Sequence, residues 1–219
     1  MRNYLAALLI AAFGLSCASF LCAQQPARTA ARAAASDSHE GITVSAEAWT
    51  HSASYKEKFP KKSPFTGGVV ALHVTIRNDT DESVKVDLQR IRLMIVLDDE
   101  NRQELDSLTA DDVADAVLLK GNKDPTKRRN PLPMPIGKPN PSRDKNWSEF
   151  KNDCQNAALP SPVVAAHSGM DGLVYFDVRS EWELLQTAKL YVPGLITMSS
   201  HTPLSYFEID LGHSSSNQP

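Results

Sequence analysis

VVALHVTIRNDTDESVKVDLQRIRLMIVL, residues 69–97, decides the reading of this chain. Val70, Leu72, Val74 and Ile76 alternate with Ala71, His73, Thr75 and Arg77, the two-residue period of a strand with one buried and one wet face. Asn78-Asp79-Thr80-Asp81-Glu82-Ser83 follows with side chains that bond nearby backbone and favour turns. A hairpin is therefore expected. Beyond it Val84, Val86 and Leu88 keep one phase, whereas Ile91, Leu93, Ile95 and Leu97 take the opposite parity. The slip near Gln89-Arg90 requires a bulge or a jump to a second sheet.

Working outward, Ile42, Val44, Ala46 and Ala48 alternate up to Trp49 and give an earlier strand. The Thr66-Gly67-Gly68 turn leads into the central block. Downstream, Val163-Val164 resumes the sheet and Ser168-Gly169-Met170-Asp171-Gly172 reads as a turn. Val174, Phe176 and Val178 form a second firm strand, Leu190 and Val192 another, and Phe207, Ile209 and Leu211 close the domain. Short strands separated by turn signals, with no strand-helix alternation, predict an all-β antiparallel sandwich.

The 219 residues, 42% hydrophobic and 22% charged, suit one globular domain. Arg2 precedes an uncharged run from Leu5 to Leu21 that ends in Cys22-Ala23, the layout of a secretory leader cleaved after Ala23. A lipoprotein reading instead acylates Cys17 after Leu15-Ser16. Either way the expectation is export, periplasmic or extracellular, with no membrane span once the leader is gone. Cleavage leaves Cys154 as the one cysteine, so stability comes from the core without an intrachain disulfide. Residues 24–39 are rich in Ala, Arg, Gln and Ser and read as a disordered tether. The domain spans 40–212, and 213–219 is a polar tail.

An insert at 108–159 interrupts the strand pattern. Asp98 to Asp115 carries eight acids against Arg102. Thr109 and Asp112 are spaced as a capping box, predicting a helix that runs to Lys120 and stops at Gly121. From Lys120 to Lys151 nine bases face three acids, and six prolines between Pro125 and Pro141 predict a long loop. The whole reads as an antiparallel β-sandwich with a long, Pro-rich, partly helical insert.

The block Val70–Leu97, with its Asn78-Asp79 turn, and the later Gly169-x-x-Gly172-Leu173-Val174-Tyr175-Phe176-Asp177-Val178 resemble exported bacterial immunoglobulin-like domains of the DUF4352 type. That resemblance implies a fold and an exported location rather than an activity.

Candidate chemistry is sparse. Ser168 beside His167 has the residue types of a hydrolase pair but lacks Gly-x-Ser-x-Gly. Cys154, His167 and Met170 follow the ligand order of blue-copper sites, with His73 or His51 upstream. The acids from 98 to 115 lack calcium-loop spacing. The basic insert lacks the interleaved aromatics that stack bases, which speaks against a nucleic-acid partner. Sequons begin at Asn78 and Asn146. The expectation is a non-enzymatic, cofactor-free module that binds a protein or envelope surface through Lys127, Arg128, Arg129 and Lys138, an anionic partner being the natural match. Exposed Trp49, Trp147 and Trp182 would instead point to a carbohydrate-binding accessory domain, and copper binding is the third reading.

Overall fold

The computed structural model describes residues 34–97, 101–119 and 144–212, which all fall within one compact unit. The leader, the start of the tether, the tail from 213 and the segment 120–143 lie outside the described residues. The chain opens with β1 (Ala35–His39) and β2 (Ile42–Trp49), continues through the single turn α1 (Ser52–Tyr55), and enters β3 (Val69–Asn78). Next come β4 (Val84–Lys85), β5 (Arg92–Val96), β6 (Arg102–Asp106) and the helices α2 (Ala110–Leu118) and α3 (Lys145–Ala157). The last strands are β7 (Val163–Val164), β8 (Ser168–Asp177), β9 (Ala188–Val192), β10 (Ile196–Thr197) and β11 (Phe207–Asp210).

Every strand ladder is antiparallel. One four-stranded sheet runs β1-β2-β3-β8, another β11-β9-β5-β6, and a small sheet runs β10-β4-β7. The two large sheets enclose the main core. Ile42, Val44, Val70, Leu72, Val74, Ile76, Val174 and Phe176 from the first meet Leu93, Ile95, Leu190, Val192, Phe207 and Ile209 from the second. Each large side chain withdrawn from water there contributes roughly 1.5–3 kcal/mol. The parity slip after Leu88 is resolved as a jump. A short 3-10 helix at Leu88–Arg90 carries the chain from β4 in the small sheet to β5 in the second large one.

The expected hairpin does not form. Both edges of β3 are taken, by β2 along Trp49↔Ala71 to Ile42↔Asn78 and by β8 along Val69↔Asp177 to Asn78↔Ser168. β4 therefore leaves the sheet and pairs with β7 and β10. The corner is pinned by Asn78, the buried polar residue of the described core. Its Nδ2 donates to Glu82 O (2.8 Å) and Ala165 O (3.0 Å), while its Oδ1 accepts from Thr80 N (3.0 Å) and Thr80 Oγ1 (2.7 Å). The sequon at Asn78 is thus spent on the fold.

Two more sequence expectations are corrected. Ser168–Gly172 is not a turn but the first half of β8, since ladder bonds come from backbone whatever the side chain. Gly172 is required by a close crossing: a Cβ there would stand 2.6 Å from Leu159 Cα, where the chain leaving α3 bridges Leu173 through Ala158. Residues 35–39, read as tether, form β1 through a tight turn in which Glu40 and Gly41 both have positive φ (53° and 75°), as primed hairpin turns demand. β1 buries little apolar surface, and it is clasped to β11 by side chains. Asp37 Oδ2 accepts from Glu208 N (3.1 Å), Glu40 Oε2 accepts from Ser205 N (2.8 Å), and the His39 ring stacks on Phe207 at 3.9 Å.

The face of β3 expected to be wet is only partly so. At its Val69–Ala71 end, and at Leu173 and Tyr175 of β8, it is roofed by helices that complete a second core with Tyr55, Phe59, Val113, Ala114, Trp147, Phe150 and Cys154. Thr109 caps α2 with the expected box: its Oγ1 accepts from Asp112 N (3.2 Å) and its own N–H donates to Asp112 Oδ2 (3.1 Å). The expected long loop from 120 to 151 is corrected from Lys145 onward. There Asp144 accepts from Trp147 N (3.0 Å) and starts α3, whose Trp147, Phe150, Cys154 and Ala157 recur at helical spacing on the buried face.

Candidate functional site

The two helices are antiparallel, as two contacts one turn apart establish. Lys151 Nζ meets Asp111 Oδ2 at 2.9 Å, and the Trp147 indole N–H donates to Asp115 Oδ1 at 2.8 Å. Rising along α2 is falling along α3. The C-terminal end of α2 and the N-terminal end of α3 therefore lie together, and the segment 120–143 departs from and returns to that one end.

The same end holds a cleft of about 380 Å³ lined by Ser52, Tyr55, Lys56, Phe59, Lys61, Lys62, Ser63, Thr66 and Val117. Val117 belongs to the last turns of α2. The rest comes from the link between β2 and β3, whose shape is fixed by Tyr55. Its hydroxyl donates to Trp49 O (2.8 Å) and accepts from Ala71 N (3.0 Å), bolting α1 across the ends of both strands. Burial pushes the Tyr55 hydroxyl well above the ordinary phenol range, so it stays a neutral donor. Phe59 packs against Tyr55 and Phe150. With those rings buried, the lysines have nowhere to go but the rim: Lys56, Lys61 and Lys62 are all exposed.

Lys61 Nζ reaches Glu149 Oε2 at 3.0 Å, and Lys145 approaches the other oxygen at 3.6 Å. The hydrogen bond and charge of Lys61 hold the Glu149 carboxyl below its ordinary value. Lys56 and Lys62 form no ion pair among the described residues and present their charges to solvent.

The anion-binding residues expected from sequence, Lys127, Arg128, Arg129 and Lys138, lie outside the described residues. The structure adds the cleft beside their point of attachment. That cleft escaped sequence reading, although Lys56, Lys58, Lys61 and Lys62 around Phe59 and Pro60 were a visible signal.

Other candidate sites come apart. His167 Nε2 lies 2.8 Å from Asp81 Oδ1 while Ser168 Oγ donates to Ala165 O (2.8 Å), so the pair is not a nucleophile with its base. The copper set is scattered: Cys154 is buried under the helices, Met170 packs on the core between the sheets, and His167 is exposed. Burial and the charge of Asp153 push the Cys154 thiol up to about 12. Among the described residues no three His, Cys, Asp or Glu side chains form a metal-holding group. The acids of 101–115 are occupied by the fold. Asp112 caps, Asp111 and Asp115 hold α3, and Asp106 and Glu104 meet Arg92 at 2.6 and 3.5 Å.

The tryptophans are not a sugar platform. Trp147 is 6% exposed, Trp182 is half-buried and stacked on Phe65 at 4.5 Å, and half-buried Trp49 is wedged against Tyr55. Among the described residues no helix is long and apolar enough to cross a membrane.

No family model matches the chain, and no curated protein matches it either. Among solved structures it is similar to a functionally unknown protein from Listeria monocytogenes EGD-e. The identity is 14% over 72% of this chain and 68% of that one, at a TM-score of 0.33.

Proposed function

We propose that the chain is an exported immunoglobulin-like module, akin to the DUF4352-type domains, that works without catalysis by binding an anionic component of the cell envelope. Strand order supports the immunoglobulin-like part. β2-β3-β8 follows the sequence A-B-E, and β11-β9-β5-β6 follows G-F-C-C′ of a variable-type domain, with α2 and α3 taking the place of strand D in chain order, between β6 and β8. The two blocks that carry the resemblance meet where β3, the start of the first, pairs with β8, the second, along ten residue pairs.

The observation that carries the binding function is the antiparallel register of α2 and α3. It sets Leu119 and Asp144, which flank the segment that carries Lys127, Arg128, Arg129 and Lys138, at the end already rimmed by Lys56, Lys61 and Lys62. Exposed Lys56, Lys61 and Lys62 at that end raise local anion concentration and steer encounter, an effect screened beyond about 8 Å at physiological salt.

Reversal of Lys127, Arg128 and Arg129 to Glu tests this. Association of the chain with host envelope fractions should weaken and lose salt dependence while the melting temperature holds. Unchanged association would remove the function.

A further inference from the structure

We infer that the cleft between α1 and the end of α2 is a subsite for an anionic saccharide, a sugar unit carrying a carboxylate or a phosphate; this rests on the envelope-binding reading above and names its ligand. The cleft's volume of about 380 Å³ falls at the small-ligand end of known pockets, about 300–1,000 Å³, and suits one or two sugar rings. Its rim supplies the ammonium groups of Lys56 and Lys62, which form no ion pair among the described residues, and its wall the hydroxyls of Ser52 and Ser63. Ser63 precedes the 3-10 turn Pro64–Gly67 without spending its side chain as a cap, so its hydroxyl can serve a ligand. Thr66 braces the wall by donating to Ser63 O at 2.8 Å.

The same geometry argues against other anions. A single-stranded nucleic acid needs exposed ring faces for its bases, and both aromatics here are buried, Phe59 at 3% exposure and Tyr55 at 0%. A lipid surface needs apolar side chains to enter the headgroup layer. Among the described residues the large exposed apolar side chains, Leu97, Ile196, Met198 and Tyr206, are all absent from the cleft lining. What remains is a ligand recognised by charge and hydroxyl hydrogen bonds in a concave site.

Backbone amide shifts of the full chain, titrated with trigalacturonate and with glucose 6-phosphate, test the subsite and separate its carboxylate and phosphate forms. At least one should saturate, move Ser63, Thr66 and Val117, and bind more tightly than maltotriose or inorganic phosphate. Lys56→Gln combined with Lys62→Gln should cost about tenfold or more in affinity, since each charged hydrogen bond contributes on the scale of a tenfold change. Lys85→Gln, on β4, should leave binding unchanged, and both variants should retain the dispersed spectrum of the folded chain. Binding of inorganic phosphate as tight as that of either sugar anion would overturn the saccharide subsite. So would shifts seen only with phosphatidylglycerol vesicles, or full affinity in the double variant. If the double variant binds these sugars normally while reversal at 127–129 still abolishes envelope association, the subsite falls and the envelope function stands. If the sugars bind as expected and envelope association ignores the reversal, the envelope function falls alone.

Discussion

Asn78 shows how much of this fold can hang on one side chain. It terminates β3 at the point where the chain must abandon its sheet, and its amide and carbonyl satisfy backbone and hydroxyl groups from both sides of the corner. In Asn78→Ala all four bonds go: Glu82 O and Ala165 O keep Thr80 Oγ1 and Ser168 Oγ as donors, but Thr80 N loses its acceptor at a cost of about 1–3 kcal/mol, and the buried amide leaves a void. We expect urea denaturation to show a loss of about 3 kcal/mol, in the range reserved for broken buried networks. Asn78→Asp should be worse, because a carboxylate would face the carbonyls of Glu82 and Ala165. A sequence reading that takes Asn78 as turn chemistry finds the right residue and the wrong geometry. The Asn-rich run marks a change of direction, but whether the next strand returns beside β3 depends on whether β3 has a free edge, which is a property of β2 and β8.

At the scale of elements, the helical layer and the paired sheets differ in their response to base. The core under the helices contains Tyr55, Cys154 and Tyr175, and burial raises the pKa of all three, Cys154 to about 12. The core between the sheets contains no titratable side chain among the described buried residues. A raised pKa means the folded layer keeps protons that the unfolded chain gives up. Its stabilisation is full below the ordinary thiol value of 9.0 and is lost as pH rises toward 12. We expect Trp147 fluorescence to shift to the red over that window before the strand signal in far-ultraviolet dichroism declines. We also expect Cys154 to resist thiol reagents at pH 8 until denaturant is added.

The elements themselves were unevenly legible. β2, β3, β9, β11 and the capped start of α2 could be read directly, because alternation and a Thr-x-x-Asp spacing are local signals. α3 was obscured by the prolines and lysines upstream of it, although Trp147, Phe150, Cys154 and Ala157 carry helical spacing. β1 has no apolar pattern at all, being held by a ladder and by carboxylate bonds to β11. The cleft lies further from local pattern still, since it needs the end of α2 packed beside the link between β2 and β3, segments far apart in sequence.

For the whole molecule, the basic segment is attached at one end of a helix pair whose two members are each anchored independently on the sheet, α2 through Val113 and Ala114, and α3 through Trp147, Phe150 and Cys154. Brief trypsin treatment should cut first among Lys123, Lys127, Arg128 and Arg129, as charged, Pro-rich connections are preferred nicking sites. The two fragments should co-elute on gel filtration and separate only in denaturant. First cleavage at Arg77 or Arg92 would contradict the arrangement of cores described above.

The clasp between the first and last strands has a topological consequence. Along it Asp37 meets Glu208, His39 meets Phe207, and Glu40 meets Ser205, so the two strands run in opposite senses and Ala35 is carried toward Asp210. The boundaries of the folded unit therefore sit side by side. A short linker can join them, and the ring so formed can be reopened between Leu119 and Asp144 with every strand ladder intact, the circumstance in which circular permutation is tolerated. The polypeptide's order of synthesis is, for this architecture, separable from its order in space.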